Sequence, residues 1–166
     1  MCKIYFDADG VLAVYDKSAS LEEVFDPNGH YFLNREADEQ MVSLLLLLSE
    51  DGEDVSILTH APEGNAGRDK MAWAAEQGMG NIPMIVVPYG EDKSSYIEKG
   101  TAVLIDDYTK NLKAWEAGGN VGIKYYNGIN GTQGKWRGYS LHKNMTVQQM
   151  AVIVKAVASA AANTNM

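Results

Sequence analysis

The sequence predicts an α/β fold built on a mostly parallel central sheet of about five strands. Three observations carry this. Short apolar runs, among them Ile4-Tyr5-Phe6, Val55-Ser56-Ile57-Leu58 and Ala102-Val103-Leu104-Ile105, alternate with segments of helical apolar spacing, the pattern of parallel strands joined by crossover helices. Each of these runs ends on polar side chains: Asp7-Ala8-Asp9, Thr59-His60 and Asp106-Asp107. Gly10 follows the first acidic pair and lets the backbone turn, so Asp7 and Asp9 are presented at the carboxyl edge of the sheet, where open α/β folds bind ligands. Strand-end Asp also serves as a turn or capping residue, and the pair alone leaves both readings open.

The remaining elements follow in order. Residues 35–49 carry Met41, Leu44, Leu45 and Leu48 at i, i+3, i+4 and i+7, a core-facing helical stripe ahead of the Val55 strand. A second helix over 67–77 contains Lys70 and Trp73 and is ended by Gly78 and Gly80. Pro83-Met84-Ile85-Val86-Val87 is a strand stopped by Pro88, and Lys93 lies in the polar stretch between it and the Ala102 strand. Asn111 to Ala117 is a short helix closed by Gly118-Gly119, and Val121-Gly122-Ile123 is the fifth strand. Segment 127–138 holds four glycines with Asn127-Gly128 and Asn130-Gly131 pairs, which predicts a surface loop or hairpin. Thr146 and Gln149 form a capping-box pattern before a last helix with Val147, Met150, Val154, Val157 and Ala161 on its apolar face. The tail from Ala160 to Met166 has little to bury and is expected to fray.

At 166 residues and 46% apolar composition, the chain is long enough for one well-buried core and too short for two ordinary domains, so 1–166 reads as a single domain. The single cysteine, Cys2, excludes an intramolecular disulfide, and no zinc-type Cys/His spacing is present. A reducing, cytoplasmic compartment is expected, because the first strand begins at Lys3 with no room ahead of it for a signal sequence. The longest leucine run, Leu44 to Leu48, is far below the ~20 apolar residues that span a bilayer. A formal charge of −8 opposes non-specific binding to nucleic-acid backbones and to anionic membranes.

Three strand ends and the loop bearing Lys93 thus supply four carboxylates, a hydroxyl and an ammonium to one edge. In this the chain resembles the haloacid dehalogenase-like hydrolase superfamily, whose motifs are Asp-x-Asp, a strand-terminal Thr or Ser, a Lys and an acidic pair. Within it, the chain is most similar to the 5'(3')-deoxyribonucleotidases. The matching pieces are Asp7 to Leu12 with Tyr15 at a substrate-side aromatic position, the Phe25-Asp26-Pro27-Asn28-Gly29-His30-Tyr31-Phe32-Leu33 segment, Lys70-Met71-Ala72-Trp73, and Leu104-Ile105-Asp106-Asp107. The resemblance covers roughly residues 3–115 and implies a Rossmann-like three-layer sandwich. Only 52 positions separate Asp7 from Thr59, and a helix fills much of that interval. The cap of those enzymes is therefore expected to shrink to a flap over residues 11–34.

The resemblance implies a Mg²⁺-dependent phosphomonoesterase that works through an aspartyl-phosphate on small phosphate esters, with nucleoside 5'(3')-monophosphates as the expected substrates. Asp7 matches the nucleophile, a role carboxylates play in covalent catalysis. Asp9 matches the residue that protonates the leaving oxygen and then activates water. Mg²⁺ favours oxygen ligands, and carboxylates and carbonyls are what this edge offers. By resemblance those ligands are the Asp7 side chain, the Asp9 carbonyl and the Asp107 side chain, with Asp106 in support. Thr59 and Lys93 match the groups that hold phosphoryl oxygens, and the amides of Ala8 and His60 are further donors.

Lys93 has a rival in Lys99 for the lysine role. Lys70 and Trp73 read as packing and surface residues, and His30 and His142 show no partner pattern. His60 reads either as a substrate-side group or as a hydrogen-bonded loop residue. The flap's Tyr15, Phe25, Tyr31 and Phe32 either form a wall that stacks a nucleobase, with Tyr15 and Phe25 as contacts, or pack as the flap's own small core. Lys135, Trp136 and Arg137 read either as a solvated loop or as a cluster that reaches an anionic substrate. Two other readings compete: a phosphatase for a larger or non-nucleotide substrate, and a phosphate- or metal-binding module without turnover. The spacing of Gly90 to Ser94 fits no P-loop, and Gly78-Met79-Gly80 completes no dinucleotide fingerprint.

Overall fold

The computed structural model describes residues 1–131 and 135–164. Six parallel strands form one sheet: β1 (Lys3–Phe6), β2 (Val55–Ala61), β3 (Met84–Pro88), β4 (Ala102–Asp106), β5 (Val121–Tyr126) and β6 (Tyr139–His142). Their spatial order is β3-β2-β1-β4-β5-β6. The chain winds outward from β1 through β2 to β3, then returns to the other side of β1 to lay down β4, β5 and β6. The direction of winding reverses between β1 and β4, and open α/β sheets bind ligands in the crevice at such a reversal.

Strand alternation divides the core between the two faces of the sheet. Ile4 and Phe6 point to one face, with Val55, Ile57, Val103, Ile105 and Ile123 beside them. That face is covered by α2 (Glu39–Glu50), by α5 (Val147–Asn163) and by the end of α3 (Ala66–Ala74). Tyr5 points to the other face, where Leu58, Val87 and Leu104 meet Leu112 and Trp115 of α4 (Thr109–Ala117). Helices on both faces make the Rossmann-like three-layer sandwich. Two short turns of helix, α1 (Leu21–Val24) and a 3₁₀ turn at Tyr31–Asn34, are the regular structure of the flap.

Local chemistry sets the boundaries. The Asp38 side chain accepts from the Met41 amide at 3.1 Å and starts α2. Residues 35–38 are extended instead of helical, because Val14 donates to the Glu36 carbonyl and Asp38 to that of Leu12. After α3 the chain widens into a π turn over Ala75–Met79 with a kink at Gly78, whose φ of +84° suits glycine. The Thr146 and Gln149 capping box forms as the sequence predicts. β5 runs three residues past Ile123, because Lys124, which breaks the apolar run in sequence, is buried at 1% exposure.

The sixth strand is the main addition to the sequence reading. Tyr139-Ser140-Leu141-His142 is four residues long with one fully buried apolar side chain, Leu141, too short for alternation to stand out. It pairs parallel to β5, so segment 127–138 is a crossover and not a hairpin. On the way back Trp136 lies against Gly122 and Leu112 on the α4 face, so it belongs to the packing and not to the carboxyl edge. Lys135 and Arg137 are exposed. Gly134 within that segment, and the last two residues of the tail, lie outside the described residues. Among the described residues no helix is long and apolar enough to cross a membrane.

Leu44 is fully buried where α2 meets the sheet. Leu44→Ala is expected to lower the unfolding free energy by about 2–5 kcal/mol, measured by urea denaturation, since deletion at a close-packed site leaves a cavity.

Candidate functional site

The sheet register brings the predicted groups together. Phe6 pairs with Ile105 across β1 and β4, and the Asp7 amide continues the ladder to the Ile105 carbonyl at 2.9 Å, so Asp7 and the Asp106-Asp107 pair flank the crevice at the winding reversal. One carboxylate oxygen each from Asp7, Asp106 and Asp107 lie within 4.8 Å of one another, and all three residues are buried. Lys93, at the start of a 3₁₀ turn over Lys93–Tyr96, is 4% exposed and donates to Asp7 Oδ1 and Asp106 Oδ2, both at 2.8 Å. Asp92 shapes that turn by accepting from the Ser94 amide at 2.9 Å. Lys99 is exposed, so the geometry selects Lys93 between the two lysines.

The two members of the acidic pair have different surroundings. Asp106 accepts from Lys93, from Asn111 Nδ2 at 3.1 Å and from the Tyr108 amide at 2.8 Å, so both its oxygens are held by donors of the protein. Asp107 accepts from Asn130 Nδ2 at 2.6 Å. Its Oδ2 lies so near Gly10 that a Cβ there would be 2.1 Å away. Gly10, with φ of +80°, thus serves close approach of an acid as well as the turn.

Charge in the cluster is unbalanced. Three carboxylates against one ammonium leave two negative charges if all ionise. Burial pushes the Asp7 carboxyl up to about 7; Lys93 opposes the shift while Asp106 and Asp9 add to it. Burial, with Asp106 and Asp7 beside it, likewise raises Asp107 well above the ordinary carboxylate range. Burial alone would lower the Lys93 ammonium, but Asp106 and Asp7 outweigh it and hold the pKa above its usual value. An all-oxygen donor set carrying excess negative charge fits a hard divalent cation.

Beside this cluster lies a second group. Lys70, 2% exposed on α3, donates to the Asp9 carboxylate, to Thr59 Oγ1 at 3.0 Å and to the His60 carbonyl at 2.7 Å. This corrects its reading as a packing and surface residue: α3 starts five residues after β2 ends, and its second turn swings Lys70 back over the carboxyl end of that strand. The match to a Lys-x-x-Trp helix was the available signal. Trp73 is packing, buried with its Nε1 on the Arg35 carbonyl at 2.8 Å. Thr59 is fully buried, and the Asp9 side chain remains 40% exposed.

The flap is pinned to α3. Asn65 donates to the Pro27 carbonyl at 3.0 Å, and His30 Nδ1 meets Asp69 Oδ2 at 2.9 Å, a partner for His30 that the sequence did not show. The Phe32 ring covers the Lys70 ammonium at 4.5 Å, and Tyr31 packs edge-on against Phe32. The flap-core alternative therefore holds for part of the set. Phe32 is buried with Ala61 and Ala66 in a small flap core that Tyr31 flanks, while Tyr15 and Phe25 are about 40% exposed. Those two lie on different sides of the site. Phe25 packs edge-on against Tyr89 after β3 at 4.8 Å, and Tyr15 lines a cavity of about 600 Å³ with Lys17, Ser18, Asn34, Arg35 and Ile129. His60 is partly buried, its Nε2 at 2.7 Å from the Glu91 carbonyl and its ring edge-on to Tyr89; burial lowers its pKa.

The chain matches no protein-family model, and no curated protein matches it significantly.

Asp7 generates a pH prediction. Its folded pKa of about 7 lies above the ordinary 3.8, so the folded protein holds a proton that the unfolded chain releases between these values. The stability linked to that proton is complete below about pH 4 and lost as the pH rises to about 7. Metal-free protein is expected to lose stability as the pH rises from about 4 to about 7, a loss that Asp7→Asn reduces. Urea midpoints of the two proteins in chelator measure this, and parallel pH profiles would refute the assignment.

Proposed function

We propose that the chain is a Mg²⁺-dependent phosphomonoesterase acting on small phosphate esters, with nucleoside monophosphates as the first substrates to test. The observation that carries this reading is the convergence of Asp7, Asp106 and Asp107 around one buried ammonium, with Asp9, Thr59 and Lys70 alongside. The likeness of its motifs to haloacid dehalogenase-like hydrolases supports the same reading.

In this mechanism an Asp7 carboxylate oxygen attacks phosphorus, the bond from phosphorus to the ester oxygen breaks, and Asp9 gives that oxygen its proton. Water then attacks the aspartyl-phosphate, Asp9 takes a proton from it, and Asp7 is regenerated with release of inorganic phosphate. Asp7, Asp107 and the Asp9 carbonyl would hold Mg²⁺, which supplies neutralisation of the phosphoryl charge next to a carboxylate nucleophile. Asp106, saturated by donors, orients Lys93 instead of ligating. Lys70 and Lys93 would offer two cations to the phosphoryl oxygens, and Thr59 would add a hydroxyl. Lys70 must turn from Asp9 toward a phosphoryl oxygen for Asp9 to carry a proton.

A Mg²⁺-supplemented phosphate-release screen over nucleoside monophosphates, sugar phosphates and an aryl phosphate tests the reading. Release from at least one class, lost in folded Asp7→Asn, is expected. Release from none would favour a binding module, and unchanged turnover in Asp7→Asn would exclude the mechanism.

The nucleotide part of the proposal rests on the exposed flap aromatics. Tyr15 lines the cavity beside Ile129 and Phe25 packs against Tyr89, so each is tested separately as the stacking residue. Replacing the stacking residue by Ala is expected to lower nucleotide kcat/KM roughly 5- to 150-fold, the equivalent of about 1–3 kcal/mol, and to spare an aryl phosphate. Replacing the other should change little. Equal losses on both substrates would move the preference to a non-nucleotide or larger ester.

A further inference from the structure

The loop that leaves β5 contacts the acidic cluster from a part of the chain where the sequence shows only turn signals. Asn127, 5% exposed, donates through Nδ2 to the Gly10 carbonyl at 2.8 Å and to Asn130 Oδ1 at 2.6 Å. Its Oδ1 accepts from the amides of Ile129 and Asn130 at 2.9 and 3.0 Å, which fixes the loop's shape. Asn130 Nδ2 in turn donates to Asp107 Oδ2 at 2.6 Å. Gly131, with φ of +74°, closes the other side: a Cβ there would come within 2.4 Å of the Asp107 carbonyl oxygen. Asp107 is thus held between Gly10 and Gly131, with one carboxylate oxygen fixed by an amide that Asn127 itself orients.

We propose that Asn127 and Asn130 are positioning residues that set the Asp107 carboxylate, and the Gly10 turn beside it, for cation binding. The inference rests on the reading of the Asp7, Asp106 and Asp107 cluster as a cation site. Its physical basis is that a metal-ligating carboxylate performs best when hydrogen bonds fix its orientation before the ion arrives, and loss of such partners typically weakens affinity 10- to 100-fold. Asn130 is suited to this, because an amide donor orients a carboxylate without adding a cation that would compete for the site. The buried lysines around the site donate elsewhere: Lys93 to Asp7 and Asp106, Lys70 to Asp9, and Lys124, which feels the charge of Asp107, to Thr109 Oγ1. Asp107 receives a neutral donor instead, which leaves its charge available to an ion.

Calorimetric titration with Mg²⁺ of the wild-type protein, Asn130→Ala and Asn130→Leu tests the proposal, with thermal melts to verify folding. Lys143→Ala serves as a control, since Lys143 lies against Gly128 of the same loop and makes no hydrogen bond to the cluster among the described residues. The Asn130 variants are expected to bind Mg²⁺ roughly 10- to 100-fold more weakly and Lys143→Ala as the wild type does. The Asn130 side-chain amide protons, followed by ¹⁵N NMR, should shift on Mg²⁺ addition in wild type and lose that shift in Asp107→Asn, a signature that a purely structural role would not produce. Undiminished affinity in a folded Asn130 variant, or an amide unmoved by Mg²⁺, would overturn the positioning role while leaving the cation site standing. Absence of Mg²⁺ binding in the wild type would overturn both.

Discussion

One buried ammonium ties the site together. Lys93 bridges the ends of β1 and β4 through Asp7 and Asp106, and it does so at 3% side-chain exposure, where an unpaired charge would cost several kcal/mol. The Asx turn at Asp92, the short 3₁₀ helix and the β1–β4 register all act to bring that nitrogen between two carboxylates. Burial, with neighbouring carboxylates adding to it, raises Asp7 and Asp107 above the ordinary carboxylate range, and Asp7, Asp106 and Asp107 form a cluster that could hold a metal ion.

The flap is fastened to α3 and to the loop ahead of it. The Pro27 carbonyl rests on the Asn65 amide, and a Cβ at Gly64 would come within 2.1 Å of that oxygen, so the flap and the loop ahead of α3 meet backbone to backbone. His30 on Asp69, Phe32 over Lys70 and Arg35 under Trp73 fasten the rest to the same helix. The helix that receives the flap also supplies Lys70, so any displacement of the flap is felt at Asp9 and Thr59.

Much of the fold was legible because its signals are local. Apolar runs ending in Asp or Thr, the i, i+3, i+4 stripe of Met41, Leu44, Leu45 and Leu48, and the Thr146 capping box each depend on neighbours within one or two turns. The departures share a cause of the opposite kind. β6 is a strand because Leu141 fills a place beside β5, and β5 continues through Lys124 because that side chain bonds to Thr109 and lies over Tyr126. Thr109 lies 15 positions from Lys124, and β6 lies beyond the segment that follows β5. Lys70 looked like a surface residue for the same reason: what buries it is Phe32, 38 positions earlier, together with the groups at Asp9, Thr59 and His60.

The sequence by itself determined the class of fold, the strand ends that carry chemistry, and the residues Asp7, Asp9, Thr59, Asp106 and Asp107 as a set, because side-chain periodicity and turn chemistry act over a few residues. Tertiary structure alone decided which lysines belong to the site, which of the two adjacent acids is saturated by protein donors, that Gly10 and Gly131 make room for Asp107, and that Tyr15 and Phe25 face different sides. Those outcomes depend on distances between segments far apart in the chain, such as Gly10 and Asp107, 97 positions apart, and such distances are fixed by the order and register of strands rather than by any local pattern.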